Sequence, residues 1–399
     1  ALNIAGASGA LKEGSLSVYA ASGIVAGTPG FVAVHGLLGV AYRSLNITQF
    51  ALTSVALKGL LGTVGLQSIK SVSASSAKLS VTIEGEEEVG SQNLYTFIEE
   101  YRQKLSCDIA VISDTCQFGP GQPAITYGLR GIAYFELQLT GPRQDLHSGT
   151  FGGAVTNPGI AICKMLSALI DEEGRIQIPG FYDQVTSLED RERSQISNLP
   201  FDERVFMEQV GVEGLSGEVG YTTLERRWVR PTYDINGIWG GYQGEGGKTV
   251  LPSKASAKFS FRLVPGQDPD AIAASLEEML QEICPEGIRM ELTSTHGARG
   301  VVVPLESDYM TAAAHAIERG FGHSPVFIRE GGSIPVVSAF HDQLGVDTLL
   351  LGWGLDDDNT HSPNEKFSLA DYHRGIKAST YLWQELSKIN TEEVDDAGS

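Results

Sequence analysis

Four carboxylates are crowded into five positions at Glu84-Gly85-Glu86-Glu87-Glu88, followed by Val89-Gly90-Ser91 and preceded by the alternating stretch Leu79-Ser80-Val81-Thr82-Ile83. A strand that delivers this much negative charge to one point needs a cation, protonation or open water to relieve the repulsion. A bound metal is the relief that also accounts for residues elsewhere in the chain; the alternative is a solvated acidic turn. Asp114 closes a second apolar run, Ile109-Ala110-Val111-Ile112. His35 follows Phe31-Val32-Ala33-Val34, and His361 follows Thr348 to Leu351 through Asp356-Asp357-Asp358-Asn359-Thr360. Oxygen and imidazole donors without a nearby cysteine suit zinc, with manganese or cobalt able to substitute.

These residues share a site only if the fold brings them together. Ser91 reads as an N-cap, and Leu94, Phe97, Ile98, Tyr101 and Leu105 fall at helical spacing, predicting a helix of about four turns. Strand, helix and strand of this length form a right-handed crossover with parallel strands. Glu87, Glu88 and Asp114 then lie beyond the carboxyl ends of strands, where open α/β sheets place their sites. His35 and His361 obey the same rule.

The α/β rhythm breaks near Arg130. Ile132 to Thr140 alternates as a half-buried strand, a helix is expected from about Thr156 to Ile170, and Ala255 to Leu263 alternates with Phe259 and Phe261 on one face. Asp268-Pro269 opens another helix. From about Ser307 a helix closing at Gly320, a strand over Pro325 to Ile328, the strand before His361 and a last helix from Ser368 restore the rhythm. The expectation is a discontinuous α/β catalytic domain, 1–131 and 306–399, with an inserted α+β domain at 132–305.

The 399 residues suffice for two cores, and 42% hydrophobic with 20% charged residues excludes a disordered or collagen-like chain. A net charge of −20 argues against nucleic acid or an anionic membrane as partner. No stretch reaches membrane-spanning length without polar interruption, and four widely spaced cysteines favour reduced thiols and a cytoplasmic setting. Gly241 to Thr249 (GYQGEGGKT) resembles a phosphate loop at the wrong spacing. His147-Ser148 invites a nucleophilic-serine reading without a GxSxG elbow. Gly331-Gly332-Ser333, before a predicted helix start, could present amides to an anion or be an ordinary turn.

Glu84 to Ser91, Ile112 to Thr115 (ISDT), ITYGLRGIAYFEL from Ile125, DLHSGTFGG from Asp145, RLVP at Arg262 to Pro265, REGGSIPV from Arg329 and HSPNEKF from His361 together resemble the dinuclear zinc dipeptidases. These are the cytosolic nonspecific dipeptidase and carnosinase type, related to aminoacylase and succinyl-diaminopimelate desuccinylase. The resemblance implies a zinc-exopeptidase fold with an inserted lid and dimerisation domain, two zincs per subunit, a small peptide substrate and an obligate homodimer. It implies Glu87 as general base toward a metal-bound hydroxide, Glu88 and His361 on one zinc, and Asp114 and His35 on the other. It implies His147 as the oxyanion stabiliser from the partner subunit, and Arg262, Thr249, His296 and Ser333 as substrate-binding residues. An N-acyl-amino-acid deacylase and a non-catalytic peptide-binding homologue are the alternatives.

Residues 1–83 depart from the family pattern. Leu37 stands where an acid is expected after His35, and Ala56-Leu57 precede Lys58-Gly59 where a bridging Asp is expected. Glu13 is the sole acid of this segment, against roughly ten for ordinary composition. The expectation is that the natural protein carries acids at or near Leu37 and at Ala56 or Leu57, which mass spectrometry of the amino-terminal peptides tests.

Overall fold

The computed structural model describes residues 91, 93–360 and 362–389, the side chain of His296 excepted, and the backbone of three earlier strands. Two compact units emerge: Ala1–Tyr127 with Val303–Ile328 and Ala339–Ser399, and Gly128–Val302 with Arg329–Ser338. The division falls at Tyr127 and Val302, a few residues before the boundaries at 131 and 305 expected from the sequence.

The first unit is built on β1 (Leu2–Gly6), β2 (Ser17–Ala20), β3 (Leu79–Ile83), α1 (Leu94–Glu100), β4 (Ile109–Cys116) and the start of β5 (Ala124–Leu129). The second unit contributes β6 (Gly131–Thr140), β7 (Leu146–His147), α2 (Ser148–Phe151), α3 (Pro158–Ser167), α4 (Asp190–Ser197), α5 (Glu203–Val210), α6 (Thr223–Trp228), β8 (Thr232–Gly240), β9 (Val250–Leu251), β10 (Lys254–Leu263), α7 (Pro269–Ile283), β11 (Arg289–Ala298) and β12 (Val301–Val302). After it come α8 (Asp308–Phe321), β13 (Val326–Glu330), α9 (Pro335–Ala339), a π turn (Phe340–Leu344), β14 (Thr348–Gly354) and α10 (Leu369–Leu386).

In the first unit the sheet runs β5-β14-β4-β1-β3-β2. β14 is parallel to β4, β2 is parallel to β3, and β1 is antiparallel to both β3 and β4. The carboxyl ends of β2, β3, β4 and β14 therefore meet one edge. Thr82 and Ile112 both lie opposite Asn3, and β4 runs on to Cys116 whereas β3 ends at Ile83. Ile109, Val111, Leu349, Leu351 and Trp353 meet Met310, Ala313, Ile317, Leu382 and Trp383 of α8 and α10 in one core.

Three sequence expectations change here. Ser91 has a left-handed φ of 51°, and the N-cap position is Asn93, whose side chain makes no capping bond. The helix has seven residues because the chain leaves α-geometry at Tyr101, although Leu105 is still buried. The helix expected to close at Gly320 runs to Phe321 and ends on Gly322, whose φ is 91°. Gly320 instead admits α10: a Cβ there would lie 2.7 Å from the Ala378 backbone nitrogen.

In the second unit β11-β6-β10-β8 form an antiparallel sheet. β6 alternates between buried and half-buried along its length, as one face packing on α3 and α7 requires. Phe135, Phe259, Phe261 and Tyr233 make the aromatic centre, with Phe135 and Phe259 stacked at 5.6 Å. Asn157 caps α3 and Asp268 caps α7 through their side chains, each just before a proline at the first helical turn. Among the described residues no helix is long and apolar enough to cross a membrane.

Candidate active site

The expected site residues fall in both units. In the first, Asp114 lies within β4, which continues to Cys116 rather than terminating at Ser113-Asp114 as expected. Leu351 pairs with Ser113 and Gly352 with Thr115, leaving Asp114 as an extra residue in the ladder with β14. Such a bulge re-aims a side chain, and here it presents an exposed carboxylate at the edge where the parallel strands end. The flanking Ser113 Oγ and Thr115 Oγ1 are buried and have no hydrogen-bond partner among the described residues. An oxygen donor so placed, beside unspent polar atoms, fits a divalent cation. His35, Glu87, Glu88 and His361 lie outside the described residues, as do Leu37, Ala56 and Leu57. Among the described residues no group of three metal-ligating side chains converges.

The loop that leads to His361 is tied down before it arrives there. The buried Asp358 accepts the Leu355 N–H at 2.8 Å and the Lys366 ammonium at 2.8 Å, while the Lys366 N–H donates to the Asp358 carbonyl. One side chain thus fastens both ends of the segment 355–366.

In the second unit the structure pairs four of the five remaining expected residues. His147 is on β7, paired in register with Val250, and the Ser148 N–H donates to the Thr249 carbonyl at 3.0 Å, so His147 and Thr249 are neighbours on one short ribbon. Asp145 secures that ribbon by accepting the Ser253 N–H at 2.8 Å, which holds its carboxyl below the ordinary range. The His147 ring is exposed, with Nδ1 3.4 Å from Thr150 Oγ1. That contact is with Thr150, which gives the nucleophilic-serine reading no support. Gly241 to Thr249 is followed by β9 and not by a helix, so it lacks the helix amino terminus a phosphate loop needs.

The second pair is Arg262 and Ser333, joined by a hydrogen bond from Arg262 Nη1 to Ser333 Oγ at 3.1 Å. Burial lowers the Arg262 pKa, partly offset by Asp234. His296 falls on β11 opposite Tyr134, at a register shift in the ladder with β6.

Sequence reasoning missed Arg130. It is 9% exposed, and its pKa is lowered to about 9 by burial and by the neighbouring Arg262 and Arg227, against the pull of Asp234. Its Nε donates to the Gly331 carbonyl at 3.2 Å, and its Nη1 to the Arg230 carbonyl at 3.1 Å and Thr232 Oγ1 at 3.3 Å. The available signal was a lone cation inside the apolar run from Ala124 to Leu137, an arrangement that demands buried acceptors.

Comparison with known proteins follows the same division. A family model described as the M20 peptidase dimerisation domain matches residues 127–288. The Cys-Gly metallodipeptidase dug1 of Schizosaccharomyces pombe is 35% identical over 319 residues, 78% of this chain and 67% of that protein. The M20 family metallo-carboxypeptidase Sso-CP2 of Sulfolobus solfataricus superposes with a TM-score of 0.72 at 32% identity, covering 81% of this chain and 74% of the other. Human carnosine dipeptidase 1 gives 0.74 at 26% identity, covering 97% and 83%. The chain spans 63–67% of the length of three matching Cys-Gly metallodipeptidases.

Proposed function

We propose that this chain, which belongs to the M20 metallopeptidase family, hydrolyses the peptide bond of dipeptides with zinc at the sheet edge where β4 ends, and does so in the cytoplasm as a homodimer. The observation that carries the reading is the 35% identity to a Cys-Gly metallodipeptidase over 78% of the chain. His35, Glu88, Asp114 and His361 would hold two zincs. Bound there, zinc supplies Lewis-acid polarisation of the scissile carbonyl and acidifies water.

The chain's own residues do the rest. Glu87 takes the proton of the attacking water and returns it to the leaving amine. Arg262, a half-buried guanidinium beside a second buried cation, suits the substrate's terminal carboxylate, with Thr249 and His296 lining the same substrate. His147, reaching from the other protomer, donates to the developing oxyanion. The dimer is supported by β8, the edge strand of its sheet, which exposes Ile235, Ile238 and Trp239. An apolar open edge is a template for pairing with a second chain.

The test is metal analysis with a Cys-Gly hydrolysis assay, with and without chelator. Glu87→Gln should keep its metal and lose turnover by several orders of magnitude, on the order of a lost acid/base group combined with lost water activation. Near-native turnover in that variant would overturn the assignment of Glu87. Preference for acyl-amino acids over dipeptides would instead point to a deacylase. A second reading, a non-catalytic peptide-binding homologue, is favoured by Leu37, Ala56 and Leu57 at positions of expected acids; absence of turnover at full zinc occupancy would select it.

A further inference from the structure

We infer that Ser333 and Arg130 form a positioning relay behind Arg262, so that recognition of the substrate carboxylate is set by residues that do not touch it. The inference rests on the proposed carboxylate role of Arg262 and revises that of Ser333.

A serine hydroxyl has one proton to give. In Ser333 it goes to the Arg130 carbonyl at 2.6 Å, while the oxygen accepts from Arg262 Nη1 at 3.1 Å. With its proton committed, Ser333 is placed to orient the guanidinium rather than to donate to a substrate. The carbonyl it uses belongs to a residue fixed from several directions. Arg130 anchors the turn at Gly331 through Nε, the segment after α6 through the Arg230 carbonyl, and the start of β8 through Thr232. Its own N–H donates to the Glu330 carbonyl at 3.3 Å. A Cβ on Gly331 would come within 2.8 Å of Arg130 Nη2 and 2.7 Å of the Arg227 carbonyl, so the turn closes onto this guanidinium.

The acceptors around Arg130 are carbonyls and a hydroxyl. Its hydrogen bonds therefore fix its position without cancelling its charge, and that charge stands beside Arg262. Carbonyl acceptors at three separate places match the planar guanidinium fork, a geometry that an ammonium cannot reproduce. Arg130→Lys thus keeps the charge and removes the clamp. Ser333→Ala removes the link, and Ser333→Thr keeps a hydroxyl.

Steady-state kinetics on Cys-Gly and on its carboxy-terminal amide, with zinc-loaded protein, decide the point. The relay predicts that Ser333→Ala and Arg130→Lys each raise KM for Cys-Gly about tenfold, the size of one misaligned charge-assisted hydrogen bond, with kcat nearly unchanged. The amide should be indifferent to both, and Ser333→Thr should stay near native. The double variant should be no worse than the weaker single one, because both cut the same relay. Calorimetric binding of the two peptides to Glu87→Gln protein repeats the comparison without turnover. If Ser333→Ala and Arg130→Lys leave the acid-to-amide preference at its native value while Arg262→Lys lowers it, the relay is wrong and the role of Arg262 stands. If Arg262→Lys also leaves it unchanged, the carboxylate reading falls and the relay with it. Should Arg130→Lys fail to fold, the contrast between Ser333→Ala and Ser333→Thr decides alone: equal behaviour of the two overturns the relay.

Discussion

Replacing Glu218 by Gln tests whether the support beneath Arg130 is as costly to break as its burial implies. Glu218 is 5% exposed and Arg230 is 6% exposed. Arg230 Nε and Nη2 donate to the two carboxylate oxygens at 2.6 and 2.8 Å, and Arg175 Nη1 adds a third bond at 3.0 Å. Burial alone would lower the Arg230 pKa, yet the hydrogen bonds and charge of Glu218 more than offset it, and the guanidinium is raised overall. The glutamine keeps the shape and removes the charge, leaving a buried guanidinium without its counterion. Breaking one side of such a pair costs about 3–5 kcal/mol. Arg175 adds little, because its side chain is 44% exposed and solvent screens it. In a unit of about 150–250 residues each kcal/mol moves the midpoint by roughly 2–4 °C, so the expected loss is on the order of 6–20 °C.

The assay is thermal unfolding by circular dichroism at neutral pH, run beside the double variant Glu218→Leu with Arg230→Met. Substituting the whole pair with apolar residues of similar volume removes both desolvation penalties and is often close to neutral. The double variant should therefore recover most of what the single one loses. A Glu218→Gln protein that melts with the native one, or a double variant that melts below the single one, would refute the reasoning. The result also bears on the site, because the carbonyl of Arg230 is one of the acceptors that hold Arg130.

Three further outcomes follow from other parts of the molecule. Glu385 is opposed by burial, but hydrogen bonds from Lys388 and Arg319, both 2.6 Å, hold its carboxyl below the ordinary range. A depressed folded pKa gives stability that is present above the unfolded value and is lost as the pH falls through the folded one. The stability gap between native and Glu385→Gln protein should accordingly narrow on acidification; a gap independent of pH in denaturant titrations would contradict it. Burial and the charge of Asp108 push the Cys107 thiol up to about 11, whereas Cys163 is exposed on α3. An aromatic disulfide reagent at mild alkaline pH should label Cys163 first and reach Cys107 only on unfolding, as peptide mapping would show. Ile238→Asp places a charge on the exposed face of β8 and should shift the sedimentation profile toward monomer, and an unchanged profile would move the proposed dimer contact away from this edge.

How much of this was legible in the sequence depends on how local each determinant is. β6 was readable because its burial alternates residue by residue, and α7 because Asp268-Pro269 marks its start within three positions. Gly320 and Gly322 look alike in sequence, each a glycine near the end of an apolar-periodic run. What separates them is Ala378 on α10, which needs the space that Gly320 leaves. The extension of β4 through Asp114 depends similarly on the register of β14, which no reading of Ser113-Asp114 alone supplies. The same limit explains the site. Motif resemblance supplied Arg262 and Ser333 as two separate residues that bind substrate, but the donor and acceptor roles that distinguish them come from Arg130, 203 positions from Ser333. A hydroxyl whose proton is committed is a different chemical group from a free one, and only the partner reveals which it is. Residues that touch substrate are constrained by its chemistry and recur as motifs, whereas those that aim them are constrained by whichever backbone lies behind, and for these the folded arrangement is the first place the role becomes visible.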